Sequence, residues 1–152
     1  MPPELFTPLK IVHILSAIVA VGANLTYAFW LRRAGRDRDR LVYTISGIKA
    51  LDKRVANPAF FLLLITGVLM VLTGAFRFSQ LWLSAALAIY IVVALVGMFV
   101  YGPVVRRQLA AAEADPTSPE YDAAERQANQ LGIVTLGLVL VIVVLMVAKP
   151  GL

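Results

Sequence analysis

Cysteine is absent from the 152 residues, and histidine occurs once, at His13. The first absence excludes disulfides, thiolate metal sites and iron–sulfur clusters. The second excludes haem held by two histidines of one chain. Charge is also scarce, at 15% of residues against about 25% in soluble domains. None of the nine acidic residues falls within the long apolar stretches. Paired carboxylates for acid–base chemistry are therefore missing there, as are the buried charges on which proton- or ion-coupled pumps depend. No glycine-rich phosphate loop or zinc-binding spacing is found. Together these absences lead to the expectation that the chain is not an enzyme.

What the chain has in excess is apolar surface. Hydrophobic residues make up 60% of it, above the roughly 45–50% of soluble domains. A soluble protein of this size could not hide so much, because its surface-to-volume ratio forces many side chains outward. Lipid solves the problem by acting as the solvent. A helix needs about 20 apolar residues to cross the hydrocarbon core, and four stretches qualify or nearly do, at about 9–31, 55–76, 81–105 and 131–148. The expected fold is all-α: a polytopic membrane protein, a four-transmembrane-helix bundle forming one domain over residues 1–152. No cleavable signal peptide is expected, since the first stretch is too long for a signal core and lacks a small-residue cleavage site.

The net charge of +5 would suggest nucleic acid as a partner of a soluble chain. Here its distribution gives another reading. Eleven of the fourteen Lys and Arg residues fall in the first and third connections, from Arg32 to Arg54 and at Arg106, Arg107 and Arg126. Basic residues accumulate on the cytoplasmic side during insertion. Both termini are then expected outside and both basic connections inside, with the lipid bilayer and not nucleic acid as the partner. Within the first connection Leu41, Ile45, Ile48, Leu51 and Val55 recur at helical spacing, which predicts a basic amphipathic helix at the inner membrane interface. Asn57-Pro58 reads as the capped entry to the second span. Asp115-Pro116-Thr117-Ser118-Pro119 reads as a turn leading into a helix that starts near Pro119.

A faint repeat is also present. Tyr27, Arg32 and Arg33 recur 74 residues later as Tyr101, Arg106 and Arg107. Each half would be a helical hairpin, making a repeat parallel rather than inverted.

His13, Ser16, Ala20, Asn24 and Tyr27 fall within one stripe at 100° per residue. Polar groups in hydrocarbon are costly, so the stripe should face the bundle. Thr66, Gly67, Met70, Thr73 and Gly74 form a matching stripe of small and polar residues on the second span. The two stripes are expected to pack helices one and two together. For His13 three roles stand open: an interhelical hydrogen bond, a haem or copper ligand, or contact with a proton or solute. Met70, Met98 and Met146 are the conceivable soft partners for copper.

The run from Leu9-Lys10 through His13 to Gly22, together with Asn57-Pro58-Ala59, Thr66-Gly67 with Met70, and Leu145 to Pro150, resembles a bacterial family of predicted integral membrane proteins of unknown function. That family is distantly similar to copper resistance protein D and to HemJ-type protoporphyrinogen oxidase. The resemblance implies the bacterial inner (plasma) membrane, and it implies haem or metal at His13. Ala20 stands where such relatives carry a tryptophan seven residues after the histidine, and their further histidines and intramembrane lysines are missing. The expected function is a non-enzymatic structural or accessory subunit of a homo-oligomer or larger membrane complex. The alternatives are a haem- or copper-handling protein using His13 and a small-solute permease.

Overall fold

The computed structural model describes residues 3–74 and 76–150. They form four long helical rods. The first is α1 (Pro3–Ala34), and the last is α6 (Pro119–Ala148). The second is α2 (Arg38–Leu51) running into α3 (Asn57–Leu72), and the third is α4 (Leu81–Val96) running into α5 (Gly102–Ala114). All four are long and apolar enough to cross a membrane. At 1.5 Å per residue they measure about 45–53 Å, whereas the hydrocarbon core is about 30 Å thick. Each rod thus carries about 15–23 Å more than the bilayer needs, and most of the basic residues lie toward one end of the bundle.

The second and third rods each contain one π-helical turn, Asp52–Ala56 and Gly97–Tyr101. A proline follows each by two residues, Pro58 and Pro103. Proline lacks an N–H and its ring crowds the carbonyl four residues back. Widening the preceding turn relieves that crowding: the Asn57 and Gly102 amides reach five residues back, to the carbonyls of Asp52 and Gly97. The Asn-Pro pair therefore does not open a helix. Asn57 makes no side-chain cap, and the rod runs unbroken through it.

The helix expected before the second span is present, and it continues into that span. The segment is helical, with Leu41, Ile45 and Ile48 buried and an Asp37 side-chain cap on the Arg40 amide. It forms the basic end of the second rod, which carries Arg38, Arg40, Lys49, Lys53 and Arg54. Its apolar stripe is covered by protein rather than lipid. Leu41 and Ile45 join Ala34, Val105, Ala112 and Tyr121 in a core at this end. Leu51, further along the same stripe, is 38% exposed.

This core at the basic end ties the two hairpins together. Gly35, at φ +63°, supplies the left-handed residue that ends α1. Arg36 then crosses to the other hairpin. Its guanidinium pairs with Asp122 at 2.7 Å and Glu125 at 3.1 Å, donates to the Pro116 carbonyl at 2.7 Å, and stacks 4.7 Å over the Tyr121 ring. Arg38 donates to the Glu113 carbonyl at 2.6 Å. The facing turn is self-braced: the Thr117 amide and hydroxyl both donate to Asp115 and hold its carboxyl below the usual carboxylate range. The Ser118 side chain accepts from the Tyr121 amide, so α6 starts at Pro119 as expected.

Toward the opposite end the arrangement loosens. There α1 packs along α3 and α4 along α6, while the backbones of α3 and α4 do not approach one another. Of the expected spans, the second stops short, its helix ending at Leu72. Large apolar side chains point outward along the rods, including Leu72, Met98 and Ile133, each about 70% exposed. Such a surface belongs in lipid.

Candidate functional site

Where α3 and α4 part, a cavity of about 610 Å³ opens between the hairpins. All four rods line it: His13 and Ala17 from α1, Phe60 and Gly67 from α3, Tyr90 from α4, and Met146 from α6. From His13 to Leu25, both at its wall, the cavity runs about 18 Å along α1, roughly the depth of one leaflet. Its volume lies within the range of small-molecule sites. Its lining is almost wholly apolar, with His13 the only residue able to bear a positive charge and no acidic residue among its walls.

His13 is fixed by α3. Its Nδ1 lies 2.8 Å from Thr66 Oγ1, and the Thr66 hydroxyl itself donates to the Leu62 carbonyl at 2.7 Å. Gly67 leaves room for the ring: a Cβ there would stand 3.3 Å from His13 Cε1. The two predicted stripes therefore meet at His13, Thr66 and Gly67. Ser16 and Met70 are buried on the same faces, with Ala20 fully buried between them and Tyr27.

Other members of the stripes behave differently. Asn24 does not reach α3, because its side-chain amide donates to the Ala20 carbonyl of its own helix at 2.9 Å. Thr73 and Gly74 lie past the end of α3 and are exposed. The Thr73 hydroxyl turns back to the Leu69 carbonyl at 2.7 Å, and Gly74 adopts φ +81° as the left-handed residue after the helix. Neither packs between helices one and two, since the stripe stops where the helix stops. Of the methionines, Met146 shares the cavity with His13, Met70 is buried, and Met98 is 71% exposed.

Two groups escaped the sequence reading. Tyr90 bridges the gap between hairpins by donating to the Phe60 carbonyl at 2.8 Å. Asp52, within the segment expected to be helical, heads a π-helical turn inside the second rod and accepts from the Tyr27 hydroxyl at 2.6 Å. Tyr101, the repeat partner of Tyr27, is half-buried against the core at the basic end.

No curated protein and no solved structure matches the chain. One family does, and its match runs over residues 7–150. The chain is thus a member of the family described as predicted integral membrane protein (DUF2269).

Proposed function

We propose that this chain is a non-enzymatic protein of the bacterial inner membrane that takes an apolar chain-like molecule from the bilayer into the cavity between its hairpins. The observation that carries this reading is the cavity itself: about 610 Å³, walled by all four rods, and nearly devoid of polar groups. A polar solute would find almost nothing to replace its hydration there, so the lining speaks against a permease. An accessory role in an oligomer or larger complex is compatible with such binding, because the outward faces of the rods stay apolar.

Haem held through His13 is a weaker second reading. A porphyrin brings carboxylates, and the cavity walls hold neither Lys nor Arg to meet them. A Soret band lost in His13→Leu would establish it all the same.

The test of the main reading is native mass spectrometry of protein released gently from its membranes. One amphiphile should be retained per chain. Ala17→Phe, which fills the cavity, should lose it while keeping the thermal midpoint within a few degrees. Equal retention by both proteins would overturn the proposal.

The basic bias further supports both termini outside. Because the chain has no cysteine, single introduced thiols report cleanly. Pro3→Cys should react with an impermeant maleimide on intact cells, and Asp37→Cys only after lysis. The reverse pattern would invert the topology.

A further inference from the structure

Given a cavity that takes an apolar chain, as proposed above, its few polar atoms decide which head group accompanies the chain. Thr66 has one hydroxyl proton, and it is committed to the Leu62 carbonyl at 2.7 Å. The Thr66 oxygen therefore meets His13 Nδ1, 2.8 Å away, as an acceptor, which makes Nδ1 the protonated nitrogen. The Nδ1–Cε1 edge of the ring lies against α3 at Gly67. Nε2 is left with no partner among the described residues, and it is not sealed from its surroundings. No carboxylate among the lining residues balances an imidazolium, so the ring is neutral and Nε2 offers a lone pair.

Tyr90 repeats the pattern. Its hydroxyl proton goes to the Phe60 carbonyl at 2.8 Å, so its oxygen too remains only as an acceptor. Both titratable side chains in the cavity thus present lone pairs, and neither has a free proton to give.

We propose that the cavity selects single-chain amphiphiles whose head group donates a hydrogen bond, an alcohol or a phenol, over heads that only accept or carry negative charge. An ester or carboxylate head would face lone pair against lone pair in an apolar wall, whereas a hydroxyl donates to Nε2. Thr66 is then a positioning residue that sets the ring's tautomer, and Gly67 is what lets the ring sit flat.

The test uses four probes of matched length in a titration read by native mass spectrometry: oleyl alcohol, a 4-alkylphenol, methyl oleate and oleate. Wild type should retain the alcohol or the phenol about tenfold more strongly than methyl oleate or oleate, the scale of one hydrogen bond to an otherwise unpaired group. The stronger of the two donors names the natural head group. His13→Leu should bind all uncharged probes alike. Thr66→Val, which frees the ring to exchange its proton between nitrogens, should lower the preference several-fold while chain binding persists. Equal retention of alcohol and ester by wild type, or preference for oleate, would overturn the head-group selection and leave the cavity reading intact. Retention of no probe would instead remove the cavity reading itself.

Discussion

Replacing Tyr121 with alanine should destabilise the protein by about 3–5 kcal/mol, the range for removing a large buried aromatic side chain. The ring is 1% exposed and sits in the core at the basic end with Leu41 and Ile45. Its loss would leave a cavity walled by residues of both hairpins. It would also remove the face over which Arg36 stacks and the hydroxyl that Gln108, itself only 2% exposed, reaches at 3.4 Å. Tyr121→Phe removes that contact together with the hydroxyl's own donation to Glu125 Oε1 at 3.4 Å, and should cost about 1 kcal/mol. By contrast Val144→Ala, on a side chain 62% exposed in the apolar part of α6, should change stability by less than about 0.5 kcal/mol. Unfolding in mixed micelles at increasing denaturing-detergent fraction measures all three. Equal losses for Tyr121→Ala and Val144→Ala would show that the core at the basic end does not hold the hairpins together.

The second large effect concerns Gly67. A leucine there begins with a Cβ only 3.3 Å from His13 Cε1 and then needs space that the ring or the cavity now occupies. Overpacking of this kind costs about 1–3 kcal/mol. The larger consequence falls on binding, where retention of oleyl alcohol should drop at least tenfold, because chain volume is lost and the imidazole is displaced. Gly67→Ala sets the balance of opposing terms. Alanine gains up to about 1 kcal/mol of helix propensity over glycine, against a contact the ring can relieve by shifting a few tenths of an ångström. Stability should therefore stay level or rise slightly, with binding reduced only modestly. If Gly67→Leu retained the alcohol as wild type does, the placement of His13 at the binding wall would be wrong.

The number of rods, their approximate limits and the start of α6 at Pro119 were legible in the sequence, because hydropathy and capping chemistry act locally. The meeting of His13 with Thr66 and Gly67 was legible too, since small and polar residues at helical spacing have few other uses in hydrocarbon. The fate of Asn24, Thr73 and Gly74 was not. A side-chain amide can close on its own helix as readily as on a neighbour, and the true end of α3 at Leu72 lies inside a run that stays apolar to Phe76. The π-helical turn that begins at Asp52 was hidden for a different reason. Asn57-Pro58 carries the local signature of a helix start, while the rod absorbs the proline through a wider turn, and no local pattern separates the two outcomes. The cavity was invisible altogether, because it arises where the backbones of two helices stay apart.

The two π-helical turns carry a consequence for chain-length variation. A residue removed from an ordinary membrane helix rotates everything beyond it by about 100°, which would swing Thr66 and Met70 away from α1 and into lipid. Each wide turn instead already holds one residue more than the α-helical hydrogen-bond pattern requires. Losing a single residue between positions 53 and 56 would let the turn contract to the regular pattern with the flanking faces still aligned. The same loss between 60 and 66 would put them out of register. Stretches beside Pro58 and Pro103 are thus the places where these rods tolerate a change in length, and natural variants that are one residue shorter should be shortened there.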